Sequence, residues 1–480
     1  MTSLSRSPII VWFRKDLRLR DNLALATAVE SGRPVVPIYI MEPASADTGP
    51  LGAAQAWWLH NSLLSLITSL KEIGGDLILR SGPAQAVLAS LISETNANAV
   101  YWNRRYDPPG VEIDTALKET LTTNGLTVRS FSGQLLHEPT RLRTGGGTPY
   151  RVYTPFWKAL EASGEPQEPV PAPTKLFRPT NWPASESIED WGLLPRRPNW
   201  AAEFTDVWRP GEAGARERLA NFIEDGIEGY RHGRDFPARS NTSKLSPHLA
   251  LGEISPADVW HATRGLSELV SAEDVIHFRK ELAWRDFSYH LLFHFPDLAT
   301  KNWNPRFDAF YWSGSQDLFR RWTQGRTGYP IVDAGMRELW RHGTMHNRVR
   351  MIVASFLIKD LLIDWREGER WFRDTLVDAD PASNAASWQW VAGSGADAAP
   401  FFRIFNPITQ GEKFDPDGDY VRQHVPELAG LDARYIHKPF EAPQAALGAA
   451  GIRLGETYPL PIVDHRKARS MAMAAYQSLE

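Results

Sequence analysis

At 480 residues, 42% apolar and 23% charged, the chain has the composition of a soluble globular protein too long for one ordinary core, so two or three domains are expected. It has no cysteine, which excludes disulfides, thiolate metal sites and a cysteine nucleophile. The net charge of −4 argues against a uniformly basic nucleic-acid binder, although local patches decide that question and the total does not. Nineteen tryptophans are a heavy load for this length and suit a protein that handles an aromatic ligand. Met1–Pro8 has no signal-peptide core, and no run reaches the roughly 18 apolar residues of a membrane span. The expectation is a cytoplasmic protein with no membrane partner.

Residues 9–131 alternate between short apolar runs and longer segments of helical spacing. The runs are Ile9–Phe13, Val35–Ile40, Leu77–Leu79, Ala99–Trp102 and Val128–Phe131, rich in β-branched and aromatic residues. Between them lie 53–73, 84–95 and 111–123; in the first, Trp57, Leu63, Leu64, Leu66, Ile67 and Leu70 form an apolar stripe. This alternation predicts a Rossmann-like, doubly wound parallel sheet with helices on both faces. Ligands of such sheets sit beyond the carboxyl ends of the strands, where Arg14, Glu42 and Asn103-Arg104-Arg105 stand. As single residues, each is equally explained as a loop charge or a cap.

From Gly145 to Asn199 the pattern dissolves. Eight prolines between Pro166 and Pro198 predict an extended linker over the surface. From about 212 the spacing is helical over 213–226, 256–270, 273–293, 317–324, 332–342 and 346–363, with few strand-like alternations. The domain boundaries are therefore an α/β domain over 1–135, a linker over 136–205 and an all-α domain over 206–480.

Chemistry concentrates in the helical half. Asn241, Thr242, Ser243 and Ser246 make a hydroxyl-rich loop before Pro247, suited to phosphate oxygens or to an ordinary N-cap. Glu281 and Arg285 lie one turn apart with Trp284 beside them, which fits either an ion pair or recognition of a nucleobase. The apolar 346–363 segment opens with Asn347, Arg348 and Arg350, and polar groups beside a buried element need partners. Asn347 and Met351 share one face of it. Asp378, Asp380 and Asn384 could be read as a divalent-metal loop, but Ala379, Pro381 and Ala382 supply no ligands and arginines lie near, so no metal is assigned. Gly393–Ala398 matches the loose dinucleotide fingerprint without a strand before it, and is discarded.

Several long stretches, in order, resemble the photolyase/cryptochrome family over essentially the whole chain. They are Trp12–Asn22, Thr327–Ala334, Met345–Met351, Asp364–Glu369 and Trp388-Gln389-Trp390. The resemblance implies a helical domain that holds FAD in a U shape. Tyr230, Thr242, Ser243, Leu245 and Ser246 would hold its phosphates and ribityl chain. Arg285, Arg350, Asp378 and Asp380 would line the isoalloxazine and adenine ends, with Asn384 at the flavin N5. Phe278 stands where members often carry a tryptophan on the adenine side, and Glu281 and Asn347 complete the cofactor contacts. Trp388, Trp365 and Trp312 match the family's tryptophan relay of electrons to the flavin.

The resemblance further implies light-driven repair of UV-damaged DNA by an enzyme that acts as a monomer. Glu281 would hydrogen-bond the damaged bases, Trp284 and Trp390 would wall the pocket, and Asn347 and Met351 would form its floor. Arg234, Arg348 and Lys413 would contact phosphates. Met351 stands where enzymes for the (6-4) lesion carry a second histidine, which favours the cyclobutane pyrimidine dimer. Asn384 and Trp284 are kept and no long tail follows, which ranks repair above the alternative of a cryptochrome-type blue-light receptor. The family often carries an antenna on the α/β domain. Glu42, Trp57, Asn103 and Arg104 are candidates for it, with a reduced folate (methenyltetrahydrofolate) favoured over a deazaflavin.

Overall fold

A computed structural model describes residues 7–44, 50–398 and 402–479; most of the Met1–Pro8 reading falls outside them. Strands Ile9–Phe13 (β1), Val35–Met41 (β2), Ile78–Ser81 (β3), Ala99–Asn103 (β4) and Thr127–Phe131 (β5) form one sheet in the order β3-β2-β1-β4-β5. Every pairing is parallel, with Trp12 level with Ile38 on one side and Trp102 on the other. Ile9, Val11 and Phe13 pack with Leu25, Trp58 and Leu63, whereas Ile10 and Trp12 pack with Leu88, Leu91 and Leu117 on the opposite face. Burial on both faces is why β1 is apolar at every position.

The strand order reverses between β1 and β4, and the crevice there is already occupied by the protein's own charges. Arg14 donates to Asp114 at 2.5 Å and to the Asn103 carbonyl. The Asn103 amide donates to Asp16 at 2.7 Å and Asn22 at 2.9 Å. Arg105 pairs with Glu42 at 2.6 Å, and Arg104 pairs with Glu138 at 2.8 Å.

The two halves meet through backbone. Leu17 N–H donates to the Leu251 carbonyl at 3.2 Å, and the buried Arg18 donates to the Gly252 carbonyl at 2.8 Å. Gly252 has φ +69°, and a Cβ there would collide with the Lys15 carbonyl, so this approach requires glycine.

The connecting segment differs from the expected irregular linker. Tyr153–Ala162 is a helix whose Tyr153, Phe156, Trp157 and Leu160 are buried. Its local aromatic content outweighs the proline-rich stretch that follows, which is irregular apart from the short turn Ile188–Trp191.

The helical half is built on Ala272–His294, Pro330–His342, Asn347–Ser355, Trp365–Thr375 and Pro381–Ala392. Three expected helices are shorter or altered. The 213–226 segment is α-helical over Glu212–Asn221 and closes with a π turn, Phe222–Gly226. The 256–270 segment stops at Ala262, because Gly265 turns the chain at φ +77°. The 346–363 segment passes into a π turn, Phe356–Asp360, after Ser355. That wider turn delivers two buried charges to partners, Lys359 to the Arg403 carbonyl and Asp360 to His465 at 2.5 Å. Among the described residues no helix is long and apolar enough to cross a membrane.

Candidate active site

The helical half encloses a cavity of about 520 Å³, in the range that takes a sizeable organic ligand. Four stretches distant in sequence supply most of its lining. Tyr230, Arg234, Ser243, Leu245 and Ser246 come from the hydroxyl-rich stretch, and Phe278, Glu281, Trp284 and Arg285 from Ala272–His294. Asn347, Arg350 and Met351 project from Asn347–Ser355, and Asp378, Asp380, Asn384, Trp388 and Trp390 from the loop and helix that follow.

One end of the cavity is ionic. Arg350 donates to Asp378 Oδ2 at 2.9 Å, and the Ser246 hydroxyl donates to the same oxygen at 2.6 Å. Asp378 Oδ1 is buried with no hydrogen-bond partner, an acceptor whose desolvation is uncompensated unless a ligand donor reaches it. Asp380 is committed twice: Oδ1 caps Pro381–Ala392 by accepting from Ala382 and Ser383, and Oδ2 accepts from the Tyr289 hydroxyl at 2.7 Å. Arg285 is held by the carbonyls of Gln134 and Leu249.

Asn384 has a fixed orientation. Its Nδ2 donates to the Glu369 carboxylate at 2.9 Å and the Glu369 carbonyl at 3.1 Å, and both partners are acceptors only. The amide oxygen is therefore the end left for a ligand, and it accepts from an N–H. An orphan acid oxygen, an arginine held beside it and an oriented amide acceptor fit the polar edge of an isoalloxazine whose N5 is protonated.

The mouth is aromatic and charged. Glu281 pairs with Arg234; burial works against the Arg234 charge, but the hydrogen bond and charge of Glu281 outweigh it and leave the guanidinium firmly protonated. Arg348 pairs with Asp235 at 2.7 Å and lies over Phe414, whose ring also carries Lys413. His346 caps the Asn347–Ser355 helix through Nδ1. Burial, with Arg234, Arg350 and Arg348 adding, pushes its pKa down to about 4.

Not every expected residue lines the cavity. Thr242, Arg348 and Lys413 lie outside its wall, as do Trp365 and Trp312. Trp365 is buried in the core behind it, its indole N–H on Asn302, and Trp312 is half-buried against that core beside Phe310. The nearest rings to Trp388 are Phe372 at 4.9 Å and Trp322 at 6.4 Å. On the α/β domain, Trp57 is buried edge-to-face with Phe204 at 5.2 Å and Trp58 at 6.2 Å.

Sequence reasoning missed Glu369, Phe372 and Tyr153. Glu369 is fifteen residues from the amide it orients, a separation with no periodic signal.

Taken together, the cavity defines a binding domain for a large, polar-edged aromatic ligand, with the indoles Trp284 and Trp390 in its lining. Residues 9–174 match the family model described as DNA photolyase, and residues 278–478 match that for the FAD binding domain of DNA photolyase. A deoxyribodipyrimidine photo-lyase of Agrobacterium fabrum is 66% identical over 478 residues, covering 100% of this chain and 99% of that protein. The crystal structure of a bacterial class III photolyase from Agrobacterium tumefaciens superposes with a TM-score of 0.97 at 66% identity, over 100% of this chain and 98% of that one. A Synechocystis cryptochrome superposes with a TM-score of 0.89 at 30% identity, over 98% and 99%. The chain belongs to the photolyase/cryptochrome family.

Proposed function

We propose that the chain is a deoxyribodipyrimidine photo-lyase that repairs cyclobutane pyrimidine dimers in DNA under light. The observation that carries this is the convergence of Trp284, Trp390, Glu281, Asn347 and Met351 on the mouth of the cavity that holds the Asn384 amide and the Arg350–Asp378 pair. FAD, when bound there fully reduced, supplies the photoexcited electron that opens the cyclobutane ring and takes it back afterwards.

The chain's own groups then bind and orient. The Asn384 oxygen accepts from N5–H, and the Arg350 cation favours negative charge on the neighbouring ring. Asp378 Oδ1 takes a donor from the cofactor. Trp284 and Trp390 stack on a flipped dimer. At about 1–3 kcal/mol for each stacked base, the two walls offset the few kcal/mol of unpairing, which is least at a lesion already poorly paired. Glu281 accepts from the base N–H groups, and its pairing with Arg234 aims it. Arg348 and Lys413 contact phosphates, and Trp388, Trp365 and Trp312 relay electrons inward.

An antenna on the α/β domain belongs to the same reading, a reduced folate in preference to a deazaflavin. It rests on the family, because its candidates Glu42, Asn103 and Arg104 are paired within the chain and Trp57 is buried against Phe204 and Trp58. Chromatography of pigments released from the purified protein decides between them. The enzyme is proposed to act as a monomer in the cytoplasm.

The decisive experiment irradiates a dimer-containing oligonucleotide with the reduced holoprotein and follows the return of thymine absorbance. Recovery is expected. A flavin-containing protein that restores none would transfer the assignment to a cryptochrome-type receptor.

A further inference from the structure

Trp284, one wall of the mouth, is not held by its own helix alone. The Tyr153 ring lies against it with centroids 3.6 Å apart and planes 5° from parallel. Tyr153 is buried and does not line the cavity, so it covers one face of the indole while the other stays available. Its hydroxyl donates to the Lys280 carbonyl at 2.9 Å, one turn before Trp284 on Ala272–His294. Phe287 meets both rings edge-on, at 5.8 Å from Tyr153 and 5.9 Å from Trp284, which stops the pair from sliding.

Tyr153 is also tied to the segment that carries Trp390, the other indole of the lining. Its backbone N–H donates to the Asp397 carboxylate at 3.3 Å. Asp397 lies in the loop that leaves the Trp390 helix. Gly393 closes that helix on the Gln389 and Trp390 carbonyls, Gly395 folds back onto Gln389, and Gly395 and Ala396 line the cavity. Asp397 has φ +59°, a conformation that a short polar side chain tolerates better than most. A path of ring stack, hydrogen bond and tight loop therefore runs from Trp284 to Trp390 without crossing the cavity.

We propose that Tyr153 and Asp397 act as positioning residues that brace the two indole walls and set the width of the slot between them. The inference rests on the reading of that slot as the lesion site. A flipped dimer needs both walls at stacking distance at once, so a loosened wall weakens lesion binding but leaves phosphate contacts, and hence binding of undamaged DNA, alone.

The test measures binding of dimer-containing and undamaged oligonucleotides by the FAD-loaded protein, with flavin absorbance and thermal melting as controls for the fold. Tyr153→Leu, which removes the stack, is expected to weaken dimer binding about two- to tenfold. Tyr153→Phe, which keeps the ring, rescues it to within about twofold. Asp397→Gly keeps the backbone conformation and removes the tether; it should weaken dimer binding less than Tyr153→Leu. The tether is made by the backbone N–H of residue 153, which leucine keeps, so the double variant, which loosens both walls, should bind the dimer more weakly than either single variant. Should Tyr153→Leu fail to fold, the loss in Asp397→Gly carries the test. Unchanged dimer binding in the folded variants, or equal loss for undamaged DNA, would overturn the brace while the wild type still prefers the dimer. A wild type that binds both oligonucleotides equally would overturn the lesion reading and the brace with it.

Discussion

Replacing Glu369 by glutamine barely alters its size but changes which end of the Asn384 amide faces the cavity. The Glu369 carboxylate is buried, receiving Arg373 at 2.6 Å on one oxygen and the Asn384 amine at 2.9 Å on the other. Arg373 has only donors, so a glutamine must turn its carbonyl to the guanidinium and its own amine towards Asn384. Two amines then face each other, and Asn384 relieves this by rotating its oxygen outward and its amine into the cavity. The opposing pull is the bond to the Glu369 carbonyl at 3.1 Å. That neutral bond is worth about 0.5–1.5 kcal/mol, against about 1–3 kcal/mol for a buried donor left facing another donor, with a neutral bond from the variant glutamine's amine gained on rotation. The rotation should therefore win. With FAD bound, the wild-type oxygen favours a protonated N5 and the variant amine an unprotonated one. A differential of about 1.5–3 kcal/mol corresponds to a midpoint potential lower by about 30–60 mV for a two-electron couple. Reductive titration of the holoprotein against a reference dye reads this directly, with melting as the control for the fold. A potential that is unchanged or raised would refute the orientation argument.

Three further outcomes follow from the same geometry. His346 has a pKa depressed from 6.5 to about 4, so it stays neutral in the fold and charges more readily when unfolded. The stability it contributes is present above about pH 6.5 and lost as pH falls through about 4, about 3 kcal/mol in all. His346→Asn, which keeps a capping side chain, should lose less melting temperature than wild type over that window; equal loss would remove His346 as the cause. Gly368→Ala puts a methyl group into the Trp388 ring and Leu357, and overpacking should cost about 1–3 kcal/mol in urea unfolding and lower the flavin content. Trp388→Phe keeps an apolar cavity wall but removes the most easily oxidised ring beside it. Light-driven reduction of the flavin should be lost while chemically reduced protein still repairs, and unimpaired photoreduction would take Trp388 out of the relay.

The alternating β and helical segments of the first 131 residues were legible because both signals are local. Runs such as Ile9–Phe13 are apolar throughout when both faces of a sheet are covered, and 3.6-residue stripes mark the helices against it. Long motifs such as Met345–Met351 and Trp388–Trp390 carried the family resemblance, and Asn347, Arg350, Met351, Trp388 and Trp390 from them line the cavity. The amino-acid order alone could not set what depends on distant partners. It did not reveal the Tyr153–Ala162 helix inside the connecting segment, or the π turn that carries Lys359 and Asp360 to buried partners. Nor did it reveal that Glu369 fixes the Asn384 amide, or that Arg234 engages Glu281. Helix and strand formation is governed by neighbours a few residues apart, so periodicity records it. The orientation of the Asn384 amide depends on a partner fifteen residues away, and the ring stacked on Trp284 comes from more than a hundred residues away; neither separation leaves a periodic trace, and only the folded chain brings these groups together.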